Sequence, residues 1–130
     1  MIKKATILIA DDDQDYLFQM RLKLEKAGFE VISVETQKEA ETVLEKTRPD
    51  LAILDLMMEN DDSGFILSYK LKKKYPDLPV IISTNVATET EFSFSMSSEE
   101  EKNWIKADLY LEKGIVSEQL ILEIKKLLRR

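Results

Sequence analysis

The sequence predicts an α/β domain built around a parallel β-sheet. Five short apolar runs are separated by segments with helical patterns, and the first run, 5–10, is rich in β-branched residues without polar alternation. Strands that alternate with helices form right-handed βαβ units, so we expect a parallel sheet with helices on both faces. A length of 130 residues suits one domain, which we predict over 1–130.

Local signals set the boundaries of the predicted helices. Gly28 follows the first helical pattern and is suited to end it. Thr36 and Glu39 form a capping-box pattern for the second helix, and Pro49 and Pro76 end the second and third helices. The predicted strands span 5–10, 29–35, 50–56, 78–84 and 107–113, and the predicted helices span 14–27, 36–46, 65–75 and 117–130.

The composition excludes several kinds of site. The chain has no Cys and no His, which rules out disulfides, thiolate or imidazole metal ligands and Ser-His-Asp triads. Any metal would therefore be a hard cation held by oxygen atoms. The net charge of −6 disfavours direct binding of the domain to nucleic acid or to an anionic membrane. Acidic residues follow the first apolar run where a signal peptide would have its cleavage site, so we expect a cytoplasmic protein.

Polar residues follow four of the predicted strands at their carboxyl ends, which is where parallel sheets bind ligands. These residues are Asp11, Asp12 and Asp13, then Asp55, then Ser83, Thr84 and Asn85, and finally Glu112 and Lys113. A single Asp at a strand end is usually a helix cap or a turn former, but four such ends meeting at one edge indicate a site. Carboxylates beside a hydroxyl and a lysine suit Mg²⁺ (or Mn²⁺) and phosphoryl transfer, with an Asp as covalent acceptor.

Four segments of the chain resemble the receiver domain of two-component response regulators. They read ILIADDD, PDLAILDLMM, PVIIST and ADLYLEK, and they occur in the family's order at fitting separations. The resemblance covers essentially the whole chain. It implies a flavodoxin-like (βα)5 fold with the strand order 2-1-3-4-5, and a signalling domain that catalyses at most its own phosphorylation and dephosphorylation.

The resemblance also implies a phosphoacceptor and its metal ligands. Asp55 would accept a phosphoryl group from a histidine kinase or a histidine phosphotransfer protein. Asp12 would bind the metal directly, Asp11 would act largely through water, and the main-chain carbonyl of Met57 would complete the protein ligands. By contrast, Asp13 and Asp15 are expected to cap the first helix.

A conformational switch is implied as well. Thr84 would hydrogen-bond the phosphoryl group, Lys113 would pair with it, and Tyr110 would be the aromatic residue that rotates. The repacked surface would comprise the fourth helix, the fifth strand and the last helix, and it could act on an unknown output domain or target, or form a homodimer. Whether the chain is a stand-alone regulator or part of a longer protein is left open.

Several positions depart from the family pattern. Glu59 replaces a usual proline, and Gly64 lies nine residues after Asp55 instead of eight, so the loop is one residue longer. Asn85 stands where the family prefers a small residue, and we hypothesise that its amide narrows access to Asp55 or contacts the phosphoryl group. The segment 85–106 is long and acidic without a clear amphipathic stripe, which predicts an irregular or extended region around the fourth helix.

Other functions fit the sequence less well. A haloacid-dehalogenase-like, Mg-dependent phosphatase would use a D-x-D pattern, which DDDQD offers, but Asp15 stands where that family has Thr or Val. A calcium loop fails at Tyr16, where Gly is needed. Three Asp after the first strand would repel the phosphate of a flavin. A third alternative is a receiver-like module that is not phosphorylated and only binds proteins, and the complete set of acidic residues, Thr and Lys argues against it.

Overall fold

Parallel strands form one five-stranded sheet in the computed structural model, which describes residues 4–58, 60, 62–84 and 107–129, without the side chain of Thr84. The strands are β1 Thr6–Ala10, β2 Glu30–Val34, β3 Leu51–Asp55, β4 Val80–Thr84 and β5 Leu109–Glu112. The described helices are α1 Gln14–Lys26, α2 Gln37–Lys46, α3 Ser63–Lys74 and α4 Ser117–Leu128. The strand order is β2-β1-β3-β4-β5, which confirms the predicted topology.

Helix α4 is the last helix of the sequence prediction. The predicted fourth helix falls within 85–106, outside the described residues, as does Asn85. The homodimer surface that includes this predicted helix therefore stays a prediction. Within the described ranges, no helix is both long and apolar enough to cross a bilayer.

The sheet separates two apolar clusters because successive side chains of a strand point to opposite faces. On one face, helices α1 and α4 pack against the strands, and on the other face helices α2 and α3 do so. The strand side chains on the α1/α4 face include Ile7, Ile9, Leu51, Ile53, Ile81, Leu109 and Leu111. Continuing this alternation by one step places residues 11, 55, 83 and 113 on the same face.

The helix caps follow the sequence pattern. Asp13 is the N-cap of α1, and its Oδ1 atom accepts the Tyr16 backbone N–H at 3.1 Å. Gly28 after α1 has a φ of 99°, which is a left-handed conformation that glycine adopts without steric cost. The Thr36 hydroxyl accepts the Glu39 N–H at 3.0 Å, which confirms the predicted cap of α2.

The start of α3 differs from the prediction, because the helix begins at Ser63, two residues before the predicted Phe65. The Ser63 hydroxyl accepts the Asn60 N–H at 3.1 Å, and the Gly64 N–H donates to the Leu56 carbonyl at 2.9 Å. These bonds close the loop after β3 and hold the first turn of α3 against the strand end. The prediction relied on the spacing of apolar residues, which carries no information about such tertiary contacts.

Gly64 has a steric role at this junction. A Cβ atom at this position would lie 2.5 Å from the Asp55 carbonyl oxygen and 2.8 Å from the Leu56 Cα. Any other residue would push α3 away from the end of β3. Because Gly64 has no side chain, the first turn of α3 can lie directly against the end of β3 even though the loop between them is one residue longer.

Candidate functional site

The carboxyl ends of β1, β3 and β5 bring two aspartates and a lysine together at one edge of the sheet. The Lys113 Nζ atom lies 2.9 Å from Asp11 Oδ2 and 3.2 Å from Asp55 Oδ1. The side chains of Asp11 and Asp55 are 1% and 7% exposed, and that of Lys113 is 18% exposed. Asp11 and Asp55 lie 102 and 58 positions before Lys113 in the sequence, so it is the parallel sheet that makes the three residues neighbours.

Asp11, Asp12 and Asp55 form a possible cation site. Each offers a carboxylate oxygen, and the three oxygens lie within 4.8 Å of one another. Asp12 is exposed, whereas the other two are buried. An all-oxygen set of this kind suits Mg²⁺ or Mn²⁺.

The surroundings of Asp11 agree with a cation site. Its Oδ1 atom accepts the Asp13 N–H at 2.9 Å. Its Oδ2 atom is buried, and the Lys113 ammonium group compensates its charge from 2.9 Å. Three carboxylates face one ammonium group, and the excess negative charge would favour a divalent cation.

The environment of Asp55 disfavours its charged form. Burial, with repulsion from Asp11, raises the pKa of Asp55 from the ordinary 3.8 to about 6, although Lys113 opposes the rise. Burial by itself would lower the pKa of Lys113, but its hydrogen bond and ion pair with Asp11, together with Asp55, outweigh burial and raise that pKa. At neutral pH the site therefore holds an ionised carboxylate beside a charged lysine.

Tyr16 and Ser83 border this site. The sequence placed Ser83 at this edge without indicating a role for it, and it did not place Tyr16 in the site. The Lys113 Nζ atom lies 5.1 Å from the centre of the Tyr16 ring. Burial and the negative charge of Asp11 raise the pKa of Tyr16 to about 12. The signals available in the sequence were the place of Ser83 at the end of the fourth predicted strand and the place of Tyr16 in the first turn of the first predicted helix.

Three other predicted site residues lie on or next to the neighbouring strands. Met57 follows β3 and is 37% exposed, and the backbone of Thr84 ends β4 opposite Glu112. Tyr110 is partly buried and packs on the α2/α3 face, opposite to the face that carries Lys113. Burial and the nearby Asp108 raise the pKa of Tyr110 to about 12.

The chain is similar to response regulators along almost its whole length. The family model of the response regulator receiver domain matches residues 7–125. The phosphate regulon transcriptional regulatory protein PhoB of Pseudomonas aeruginosa is 32% identical over 127 residues, which cover 96% of this chain and 52% of PhoB. The regulatory protein VanR of Enterococcus faecium is 32% identical over 124 residues, which cover 95% of this chain and 50% of VanR. The chain therefore spans about half the length of these relatives.

Solved structures show the same likeness. The crystal structure of a CheY-like response regulator receiver domain protein from Methanospirillum hungatei matches with a TM-score of 0.80 at 26% identity. The match covers 98% of this chain and 95% of that protein. The similarity therefore extends over the complete sheet and its helices.

Proposed function

The chain belongs to the response regulator receiver domain family of two-component systems, and on that premise we propose that Asp55 is its phosphoacceptor. The donor would be a histidine kinase or a histidine phosphotransfer protein. The supporting observation is the position of the Asp55 carboxylate at a strand end, 3.2 Å from Lys113 and grouped with two further acidic side chains. We propose that the receiver domain occupies the whole of 1–130 and works in the cytoplasm.

The proposed reaction needs an ionised carboxylate held in place. An Asp55 oxygen forms a P–O bond as the P–N bond of the donor phosphohistidine breaks, and the released imidazole nitrogen takes a proton from water. The pKa of about 6 leaves Asp55 mostly ionised at pH 7 and above. Lys113 then offsets the negative charge that the phosphoryl group brings. The domain acts only on itself in this reaction.

Asp11, Asp12 and Asp55, with the main-chain carbonyl of Met57, would hold Mg²⁺ or Mn²⁺. When bound, the cation supplies positive charge to the phosphoryl oxygens. The grouping supports this assignment, because oxygens of the three carboxylates lie within 4.8 Å of one another while one ammonium group, that of Lys113, pairs with Asp11 and Asp55. Of the acidic pair, we propose that Asp12 binds the cation directly and that Asp11 acts largely through water, as the family resemblance implies.

Phosphorylation would then change the balance between two conformations. The phosphoryl group adds negative charge and strong acceptors next to Lys113 and the end of β4. We propose that Thr84 hydrogen-bonds it, that Tyr110 turns inward, and that Asn85 limits access to the site. The altered surface would regulate an output domain or a target protein, or promote a homodimer.

Acetyl phosphate with Mg²⁺ tests the phosphoacceptor directly. Intact-mass measurement is expected to show one added phosphoryl group on the wild-type protein and none on the Asp55→Asn variant. An Asp77→Asn variant serves as the matched control, because Asp77 is exposed on the turn before β4. Phosphorylation that persists in the Asp55→Asn variant would exclude this acceptor.

Two other outcomes would favour the alternative functions. Steady hydrolysis of p-nitrophenyl phosphate without a phosphorylated intermediate on Asp55 would favour a phosphatase. Failure of the wild-type protein to take up any phosphoryl group would favour a module that acts only by binding proteins.

A further inference from the structure

Hydrogen bonds among its own residues restrain the loop between β3 and α3. This loop has Glu59 where the family pattern has a proline, so it lacks the backbone restriction that a proline would impose. The Asn60 carbonyl accepts the Met58 N–H at 3.1 Å and the Ser63 N–H at 3.3 Å. The Ser63 hydroxyl accepts the Asn60 N–H at 3.1 Å. Ser63 therefore holds Asn60 at both its N–H and its carbonyl group.

The two ends of this loop are fixed to the core of the domain. Leu56 is buried, its N–H donates to the Ser83 carbonyl at 3.1 Å, and its carbonyl accepts the Gly64 N–H at 2.9 Å. Ser63 is completely buried in the first turn of α3. The Ser63 hydroxyl therefore restrains Asn60 from a point that is itself fixed to the helix.

The planar peptide bond carries this restraint to the Met57 carbonyl, which is the proposed main-chain ligand of the cation. The Met57 carbonyl and the Met58 N–H belong to the same peptide unit, and in a trans peptide these two groups point in opposite directions. The hydrogen bond from the Met58 N–H to Asn60 therefore sets the direction of the Met57 carbonyl, which faces away from the Asn60 oxygen.

Building on the proposed cation site, we propose that Ser63 is a positioning residue that, through Asn60, keeps the Met57 carbonyl in the orientation that binds the cation. A ligand group that is already held in place loses less conformational entropy on binding. Loss of the Ser63 hydroxyl would leave the three carboxylates of the site unchanged. It should therefore weaken binding of the cation without abolishing it.

A single NMR signal can report on this carbonyl group. The chain has five methionines, and only Met57 and Met58 are adjacent in the sequence. In protein made with methionine that carries ¹³C at its carbonyl carbon and ¹⁵N at its amide, only the peptide between Met57 and Met58 joins the two labels. A triple-resonance spectrum that selects this pair should show one peak, and Mg²⁺ is expected to shift it until the site is saturated.

Ser63→Ala and Ser68→Ala form a matched pair, because both serines are completely buried on α3. Ser63→Ala is expected to raise the Kd for Mg²⁺ by about 3- to 10-fold, which is the effect of one lost hydrogen bond. Ser68→Ala should leave the Kd unchanged, whatever stability either variant loses in urea. Phosphorylation of the Ser63→Ala variant by acetyl phosphate should be slow at low Mg²⁺ and should approach the wild-type rate at saturating Mg²⁺.

Amide hydrogen exchange tests the same hydrogen bonds without any cation. In the wild-type protein with a chelator present, the Met58 N–H should exchange more slowly than the same amide in an unstructured peptide. Its exchange should become about 3- to 10-fold faster in Ser63→Ala and stay unchanged in Ser68→Ala. A Met58 N–H that is unprotected in the wild-type protein would overturn the positioning role without any variant.

The positioning role and the proposed function fail in different ways. If Mg²⁺ binds but leaves the labelled peptide signal unmoved, or if Ser63→Ala and Ser68→Ala bind Mg²⁺ equally well, the positioning role is wrong. If the wild-type protein binds no Mg²⁺, the proposed cation site fails and the positioning role fails with it, whereas the exchange of the Met58 amide still shows whether Ser63 holds this peptide. The mass measurement on Asp55→Asn decides the phosphoacceptor separately.

Discussion

Replacing Asp55 by Asn is expected to stabilise the fold when no divalent cation is present, even though Asp55 is an ion-pair partner of Lys113. Burial and the nearby Asp11 raise the pKa of Asp55 from 3.8 to about 6 against the opposing effect of Lys113. The ionised carboxylate is thus less favourable in the folded protein than in the unfolded chain. Asparagine has nearly the same shape without the charge, and its amide oxygen can still accept a hydrogen bond from Lys113.

The magnitude follows from the two pKa values. At about 1.4 kcal/mol for each pH unit between them, the cost of ionising Asp55 in the folded state is about 3 kcal/mol. The contribution of protonated Asp55 to the free energy of unfolding is fully present below pH 3.8, and it is lost as the pH rises through about 6. The Asp55→Asn variant should therefore gain up to about 3 kcal/mol at pH 8, and less than about 1 kcal/mol at pH 4.

Urea unfolding between pH 4 and pH 8, with a chelator present, measures this difference. Asp77→Asn is again the control, because Asp77 is exposed and its substitution should change stability little at either pH. Added Mg²⁺ at pH 8 should stabilise the wild-type protein more than the Asp55→Asn variant, because a ligand stabilises the state that binds it. The proposed cost of ionising Asp55 would be refuted if the Asp55→Asn variant is no more stable than wild type at pH 8, or if it gains the same stability at pH 4 as at pH 8.

Two further substitutions test the packing and the charge balance of the site. Gly64→Ala should cost about 1–3 kcal/mol in urea unfolding, because its Cβ would lie 2.5 Å from the Asp55 carbonyl oxygen. Gly114→Ala is the matched control, because in the described part of the chain its added carbon would meet no atom within 4 Å apart from its chain neighbours. Equal effects of the two changes would contradict the steric explanation. Lys113→Met leaves Asp11 and Asp55 without their ammonium partner, and it should destabilise the fold by about 3–5 kcal/mol at pH 8. The same variant should raise the pKa of Asp55 further in a ¹³C carboxyl NMR titration, and a lowered pKa would show that Lys113 does not compensate this charge.

Much of the fold could be predicted because its signals are local. Asp13, Thr36 and Gly28 act within one or two turns of their helices, and the structure shows the expected caps. The parallel sheet follows from strands that alternate with helices, and the strand order agreed with the family resemblance. Predicted boundaries of helices and strands were wrong by one or two residues where a distant contact decides where the element begins or ends. The start of α3 is an example, because Gly64 meets the end of β3 there.

The candidate site could be predicted in part for the same reason. Asp11, Asp55 and Lys113 were recognised because each ends a strand, and the parallel sheet then placed those ends together. Tyr16 was missed because its spacing in α1 is ordinary, and its importance depends on a ring-to-ammonium contact across 97 positions of sequence.

The sequence by itself determined the alternation of strands and helices, the helix caps and the set of polar residues at the strand ends. These features depend on residue types within short windows, and their physical causes act over a few residues. Only the tertiary structure decided that Lys113 bridges two buried carboxylates, that Tyr16 covers it and that Gly64 meets the end of β3. Ion pairs, burial and steric contact depend on distances of a few ångströms, and packing sets these distances between segments that are far apart in the chain.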